Sequence, residues 1–331
     1  MCYSAQILQS VRKLYRDLGI RLDYAEAQRL FERRLDEPGI LISRGFEANF
    51  DEPSNAEERR IKAAIDAHRA RAATRLEQEL FTQKTRLAGA CRALEAKPTK
   101  KAREDQRIAT NKIDSLTNKL ADLRRIETKP RDNRIFPFTY AGVIVAAAGE
   151  RLLTPMRYFC RPAGKPALYD KKYPGLYNAR RDNLERFWAE QFGHDHAVLV
   201  VDSFYENVQR HAMEHRALRV GEAPENVVLQ FTPDPPQTML VACLWSHWTD
   251  GRGPDRRESD GREPDVRGFA AITDEPPPAV AAAGHDRCIV NLKPQHLDLW
   301  LQPRGRTAAE LLALLSDRAV PVFQHAALQA A

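Results

Sequence analysis

The residue with the least common chemistry is Cys2, in the opening stretch Met1-Cys2-Tyr3-Ser4-Ala5-Gln6. If a methionine aminopeptidase removes Met1, as a small second residue allows, residue 2 carries a free amine and a thiol two carbons apart. Such a 1,2-aminothiol condenses with an aldehyde to a Schiff base, and the thiolate then closes a five-membered thiazolidine ring. An internal cysteine has no free amine and cannot do this. The α-amino group has an ordinary pKa of about 7.7–8.0 and the thiol of about 8.5, so modest tuning makes both nucleophilic near neutrality.

Three further polar residues lie at the edges of apolar runs, where a scaffold would present them to a cleft. They are Asn178 in "LYNARRDNL", Glu206 in "VDSFYENV" and His285 in "AAAGHDRCIV". Alone, each has an ordinary reading: a turn residue, a solvated carboxylate, a satisfied structural imidazole. Their common placement is what makes them candidates for proton transfer and positioning.

The elements that must position them are mostly strands. "TYAGVIVAAAGERLLTPMRYF" reads as two apolar runs around a glycine turn. "HAVLVVDSFY", "NVVLQF", "TMLVACLW", "GFAAIT" and "RCIVNL" follow as further strands. "AQILQSVRKLYRDLG" and "DYAEAQRLFERRLDE" read as short helices, the second with Asp23 as N-cap, and "NLKPQHLDLWLQ" and "TAAELLALLSD" as two more near the end, the last with a capping box from Thr307 to Glu310. The polar stretch "TDGRGPDRRESDGREPDVR" reads as a mobile loop without a catalytic role.

Residues 55–128 differ in composition. One arm carries Ile61, Ile65, Ala72, Leu76, Leu80, Leu87, Cys91 and Leu94 on a stripe, and the other Ala109, Ile113, Leu116, Leu120 and Leu123 at a/d spacing. "KPTKK" separates them. An inserted antiparallel helical hairpin is expected, within a single domain over 1–331 of α+β class: a β-rich core of mixed or antiparallel strands with short flanking helices. The hairpin could touch DNA, offer a face to a protein partner, or be a simple insertion.

The 331 residues, 43% of them hydrophobic, suffice for a sizeable core. Five scattered cysteines show no ligand or disulfide spacing, so no metal is expected. No Walker loop or GxGxxG supports a nucleotide cofactor, and no cofactor is expected. No stretch reaches the roughly 18 apolar residues of a membrane span, and no signal peptide is read, so the expected location is cytoplasmic. The net charge of +6 favours an anionic partner.

Taken in order, Met1-Cys2, Asn178-Ala179-Arg180, Phe204-Tyr205-Glu206, Thr273 ending "GFAAIT", and His285-Asp286-Arg287 resemble the motifs of the SRAP family of SOS response-associated peptidases. The resemblance covers residues 1–45 and about 135–303 and leaves the hairpin out. Several positions depart from the family pattern. Cys2-Tyr3-Ser4 stands for Cys-Gly-Arg, Met156-Arg157-Tyr158-Phe159 for a Trp-Gly segment, Asn207 for Trp, and a Pro after the His motif is missing.

The resemblance implies an SRAP-like core and an abasic site in single-stranded DNA as substrate, whose ring-opened sugar carries the aldehyde that Cys2 needs. It implies a crosslinking or lyase-like activity, with nucleoid association on DNA damage. Glu206 is then the general acid/base, His285 transfers a proton at the sugar hydroxyl, and Asn178 holds the amine or the sugar. Arg180, Arg157, Lys165 and Arg181 are the expected phosphate contacts, Tyr158 and Tyr177 the stacking rings, and Thr273 a further DNA-side residue. A thiol peptidase, including one acting on its own Met1, and a non-catalytic adaptor working through the hairpin are the alternatives.

Overall fold

The computed structural model describes residues 4–7, 10–249 and 265–328. Cys2, and residues 250–264 of the stretch read as a mobile loop, lie outside the described residues. In chain order the elements begin with β1 (Ser4–Ile7), α1 (Val11–Leu18), β2 (Arg21–Leu22), α2 (Tyr24–Asp36), α3 (Arg44–Glu47), α4 (Ala56–Ala96) and α5 (Lys100–Arg124). Next come β3 (Arg134–Ile135), β4 (Tyr140–Ala147), β5 (Glu150–Arg157), α6 (Leu168–Lys172), β6 (Asn178–Arg180), β7 (His196–Gln209), α7 (Arg210–Met213), β8 (Asn226–Pro233) and β9 (Met239–Trp248). The order ends with β10 (Val266–Asp274), α8 (Pro278–Ala282), β11 (Cys288–Ile289), β12 (Asn291–Leu292), α9 (Leu297–Leu301), α10 (Ala308–Ser316) and β13 (Phe323–Ala327). The class is α+β.

The chain divides into two compact units: Met1–Ala27, Ile40–Asn49 and Pro130–Ala331 form one, and Gln28–Gly39 with Phe50–Lys129 the other. In the first unit all strands join one mixed sheet, ordered β12-β9-β10-β5-β4-β7-β1-β3. An added β7–β9 pairing closes β9, β10, β5, β4 and β7 into a ring. The closure is tight at Gly268, where a Cβ would stand 2.2 Å from the Phe159 carbonyl oxygen. The β4–β5 hairpin turns over Ala148 (φ 51°) and Gly149 (φ 80°), with Ala147 opposite Glu150, the two-residue positive-φ geometry that suits strand twist.

β7 is the spine of this unit. Residues 196–201 are all buried and pair with β9, as a continuous apolar run should when both faces are covered. Beyond the exposed Asp202 the same strand pairs with β8 and with β1. Phe204 stacks on Phe231 at 5.1 Å and meets Phe323 edge-on at 5.3 Å. The capping box of α10 is present in both directions, and Asp23 Oδ1 accepts the Glu26 N–H at 3.0 Å.

One expectation fails here. Residues 5–7, read as the start of a helix, form β1, because Ala5 and Gln6 pair with β3 on one side and Ser4–Ile7 with β7 on the other. The helix begins only at Val11, capped by Ser10 and ended by Gly19 at φ 65°.

The second unit is built around α4 and α5. Ala90 of α4 and Ala102 and Ala109 of α5 are buried, and so are Ile61 and Ile65 near the start of α4. Arg86 pairs with Asp105 at 2.5 Å and Arg124 with Glu77, which fixes the antiparallel register. Residues 28–39 belong to the same unit: Arg34 Nη2 meets His68 Nδ1 at 2.8 Å, and Arg71 Nη1 donates to the Leu35 carbonyl at 2.9 Å. No helix among the described residues is long and apolar enough to cross a membrane.

Candidate active site

Glu206 lies in the second half of β7, opposite Leu229 of β8 and next to Tyr205, which faces Ser4 of β1. Strand alternation puts Phe204, Glu206 and Val208 on one face and Tyr205 on the other. The Glu206 side chain is fully buried, and its Oε2 stands 3.4 Å from His285 Nε2.

The turn carrying His285 is held against the same face. Gly284 has φ +90°, and a Cβ there would lie 3.0 Å from Val208 Cγ1 and 3.0 Å from the Ala212 carbonyl carbon. Only a glycine allows both the left-handed backbone and this approach. The next residue is thereby delivered to Glu206.

His285 Nδ1 is anchored by the Arg287 backbone, 2.8 Å from its carbonyl oxygen and 3.3 Å from its nitrogen, which turns Nε2 toward Glu206. Burial pushes the imidazole below its ordinary pKa, against the opposing pull of that carbonyl. A neutral base facing a buried carboxyl forms a pair that can pass a proton between its members.

β10 brings up the third side. Asn178 is buried and registers with Ala271, Ala179 with Ile272, and Arg180 with Thr273. Thr273 also registers with Ile289 of β11, and its buried Oγ1 has no hydrogen-bond partner among the described residues. Cys288 is close enough for the Glu206 charge to act on its thiol, after burial the second cause holding that thiol above its ordinary range. Burial likewise pushes Cys160 up to about 12 and raises Cys243. These three thiols are protonated at neutral pH and are poor nucleophiles.

The other candidates separate by exposure. Tyr158 is buried, stacked on Phe269 at 5.0 Å and edge-on to the buried Tyr177 at 5.7 Å, so the two rings pack the core and present no open face for a base. Arg157 is mostly covered and pairs with Asp170 at 3.1 Å. Arg181 pairs with Asp274 at 2.8 Å; burial raises that carboxyl, but Arg181, a backbone N–H and Arg318 together hold it below its ordinary value. Lys165 is half-buried, its carbonyl accepting from Trp248 Nε1. Arg180 is exposed and chelates Asp182 at 2.7 and 3.0 Å.

Two arginines carry no sequence signal and emerge only from the fold. Arg134 lies over the Tyr205 ring at 3.8 Å and donates from Nε to Ser4 Oγ at 3.0 Å, joining β3, β1 and the strand of Glu206. Arg161, fully buried, shares Asp170 with Arg157 and lies over the Trp248 ring at 4.3 Å. An arginine before an apolar residue is too common a pattern to have marked either.

The family model of the SOS response associated peptidase (SRAP) matches residues 99–329. The chain belongs to that family. The SRAP match contains Asn178, Glu206, Thr273 and His285; it starts at the N-cap of α5, so it takes in one hairpin arm and leaves out α4 and Cys2. SRAP membership supports a role associated with DNA damage. No curated protein matches the chain. Solved structures similar to it include a protein from Bacteroides thetaiotaomicron, with 12% identity over 59% of this chain and 77% of that one and a TM-score of 0.44. A protein from Bordetella bronchiseptica has 18% identity over 62% and 90% at 0.44, and a phage-related protein from the same organism 20% over 60% and 81% at 0.42.

Proposed function

We propose that the protein captures abasic sites in single-stranded DNA through the aminothiol at residue 2, forming a thiazolidine crosslink. The observation that carries this reading is the buried Glu206–His285 pair at 3.4 Å, beside the strand on which Ser4 faces Tyr205. Cys2 precedes Ser4 by two positions in the sequence.

In the proposed reaction the free amine of Cys2 attacks the aldehyde of the ring-opened sugar, and loss of water gives an imine. The thiol then adds across the C=N bond, carbon gaining the sulfur and nitrogen the proton, which closes the ring without an external oxidant or reductant. Glu206 passes the protons of addition and dehydration, and His285 serves the sugar hydroxyl whose release opens the furanose. Asn178 contributes donors and an acceptor without adding charge beside a polyanion. Arg180 is the exposed candidate for a phosphate contact, and the protein would act in the cytoplasm at damaged nucleoid DNA.

Removal of Met1 by the protein itself would account for peptidase character without any external substrate. A thiol peptidase needs only the sulfur, whereas the crosslinker needs the amine as well. The protein should give a denaturation-resistant band with a single-stranded oligonucleotide carrying one abasic site. Acetylating the N-terminal amine while leaving the thiol intact should abolish it. No band from the untreated protein, or an undiminished band after acetylation, overturns the reading.

A further inference from the structure

Charge is distributed unevenly along the chain. Residues 55–128 hold 18 Lys and Arg against 11 Asp and Glu, a net +7, while all 331 residues carry +6. The rest of the molecule is close to neutral, and the basic character belongs to the hairpin.

Within the hairpin the excess concentrates at the end where α4 passes into α5. Two of the acids there are already engaged, Asp105 with Arg86 at 2.5 Å and Glu104 with Arg107 at 2.6 Å. Arg92, Lys97, Lys100, Lys101 and Arg103 are all exposed, and none forms an ion pair among the described residues. Glu95 is the one carboxylate in that stretch of sequence. Five uncompensated cations thus crowd the turn of one narrow helical pair, held there by the Thr99 cap on α5 and the Arg86–Asp105 bridge. Like charges so placed repel one another and gain most from a dense anionic partner.

We propose that this tip docks on the phosphate backbone of duplex DNA. Non-specific single-strand binding relies on aromatic side chains that stack on bases. No Phe, Tyr or Trp occurs between Phe81 and Phe136, so the tip offers phosphate contacts alone. A duplex, with one charge per about 1.7 Å of axis, is the nucleic acid that best rewards such contacts. Contacts to phosphate carry no base information, so the binding expected is independent of sequence. This inference stands on charge and geometry and does not depend on the residue-2 chemistry.

The test uses the full chain and its R92Q/K97Q/K100Q/K101Q/R103Q variant, all at exposed positions, together with the milder K100Q/K101Q. Binding to an undamaged short duplex and to its single strand is followed by fluorescence anisotropy between about 50 and 200 mM salt. Each lost phosphate contact should flatten the slope of log K against log salt by about 0.9, so by about 1.8 for the double variant and about 4.5 for the fivefold one. Duplex affinity of the fivefold variant should fall at least about tenfold at the low end of that range. Crosslinking of the variants to a single-stranded abasic oligonucleotide, and their circular dichroism, should match the parent protein. No duplex binding by the parent, equal slopes for parent and variants, or as large a loss on the single strand as on the duplex would overturn the proposal.

Discussion

Glu206 and His285 carry different burdens although they touch. Glu206 is enclosed by the sheet with His285 a titratable neighbour at 3.4 Å, while His285 is anchored on its other nitrogen by the Arg287 backbone. Glu206→Gln keeps the shape of the side chain but cannot exchange a proton, so it should slow crosslink formation and reversal by about 10²-fold or more in a timed assay. His285→Ala should leave a more persistent adduct, since the sugar hydroxyl loses its proton partner when the ring must re-form. Chasing pre-formed adducts with excess unlabelled abasic DNA reads both effects. Unchanged exchange in both variants removes the pair from the mechanism. At this scale the sequence was informative about identity and silent about environment: Glu206, His285 and Asn178 were legible as candidates, whereas the stacking of Tyr158 on Phe269 and the capture of Arg181 by Asp274 depend on partners more than 90 residues away.

β7 and the turn at Gly284 are the elements that make the site. The apolar run of β7 was legible because a strand covered on both faces needs no alternation, and the Asp23 and Thr307 caps were legible because their signals are local. β1 was not, since a four-residue strand owes its form to β3 and β7 rather than to its own sequence. The short β2 and β6 are of the same kind. Gly284 shows how an element governs the chemistry: Gly284→Ala introduces a side chain at φ +90° and 3.0 Å from Val208 and Ala212. The strain should cost about 1–2 kcal/mol of stability and displace His285. The expected outcome is a folded protein, slightly lowered in melting temperature, whose adduct reverses as slowly as that of His285→Ala. Wild-type reversal by Gly284→Ala would show that the turn does not position the imidazole.

At the scale of the molecule, the sheet is tied to its helical edge by His196, whose Nδ1 contacts the Trp300 carbonyl at 2.9 Å while Nε2 accepts the Gly193 N–H at 2.9 Å. With both nitrogens committed and Trp300 at 3.8 Å, the ring is held neutral, and burial first of all pushes its pKa down to about 3. The folded value lies below the unfolded one of about 6.5, so this contribution is complete above that pH and is lost as pH falls toward 3, with a slope of up to about 1.4 kcal/mol per unit. Denaturant melts from pH 7.5 to 4 should show that loss in the parent protein and a shallower one in His196→Gln, itself less stable at pH 7.5; equal slopes would contradict the assignment. For the whole protein, residue 2 is nevertheless the decisive position. The most direct measurement is peptide mapping by mass spectrometry of the protein after reaction with abasic single-stranded DNA and no added reductant. One adduct is expected, on the peptide that begins with Cys2, absent in Cys2→Ala and present in Cys2→Ser only when a reductant traps the imine. An adduct on a lysine, or a heat-stable adduct of undiminished yield in Cys2→Ala, would contradict it.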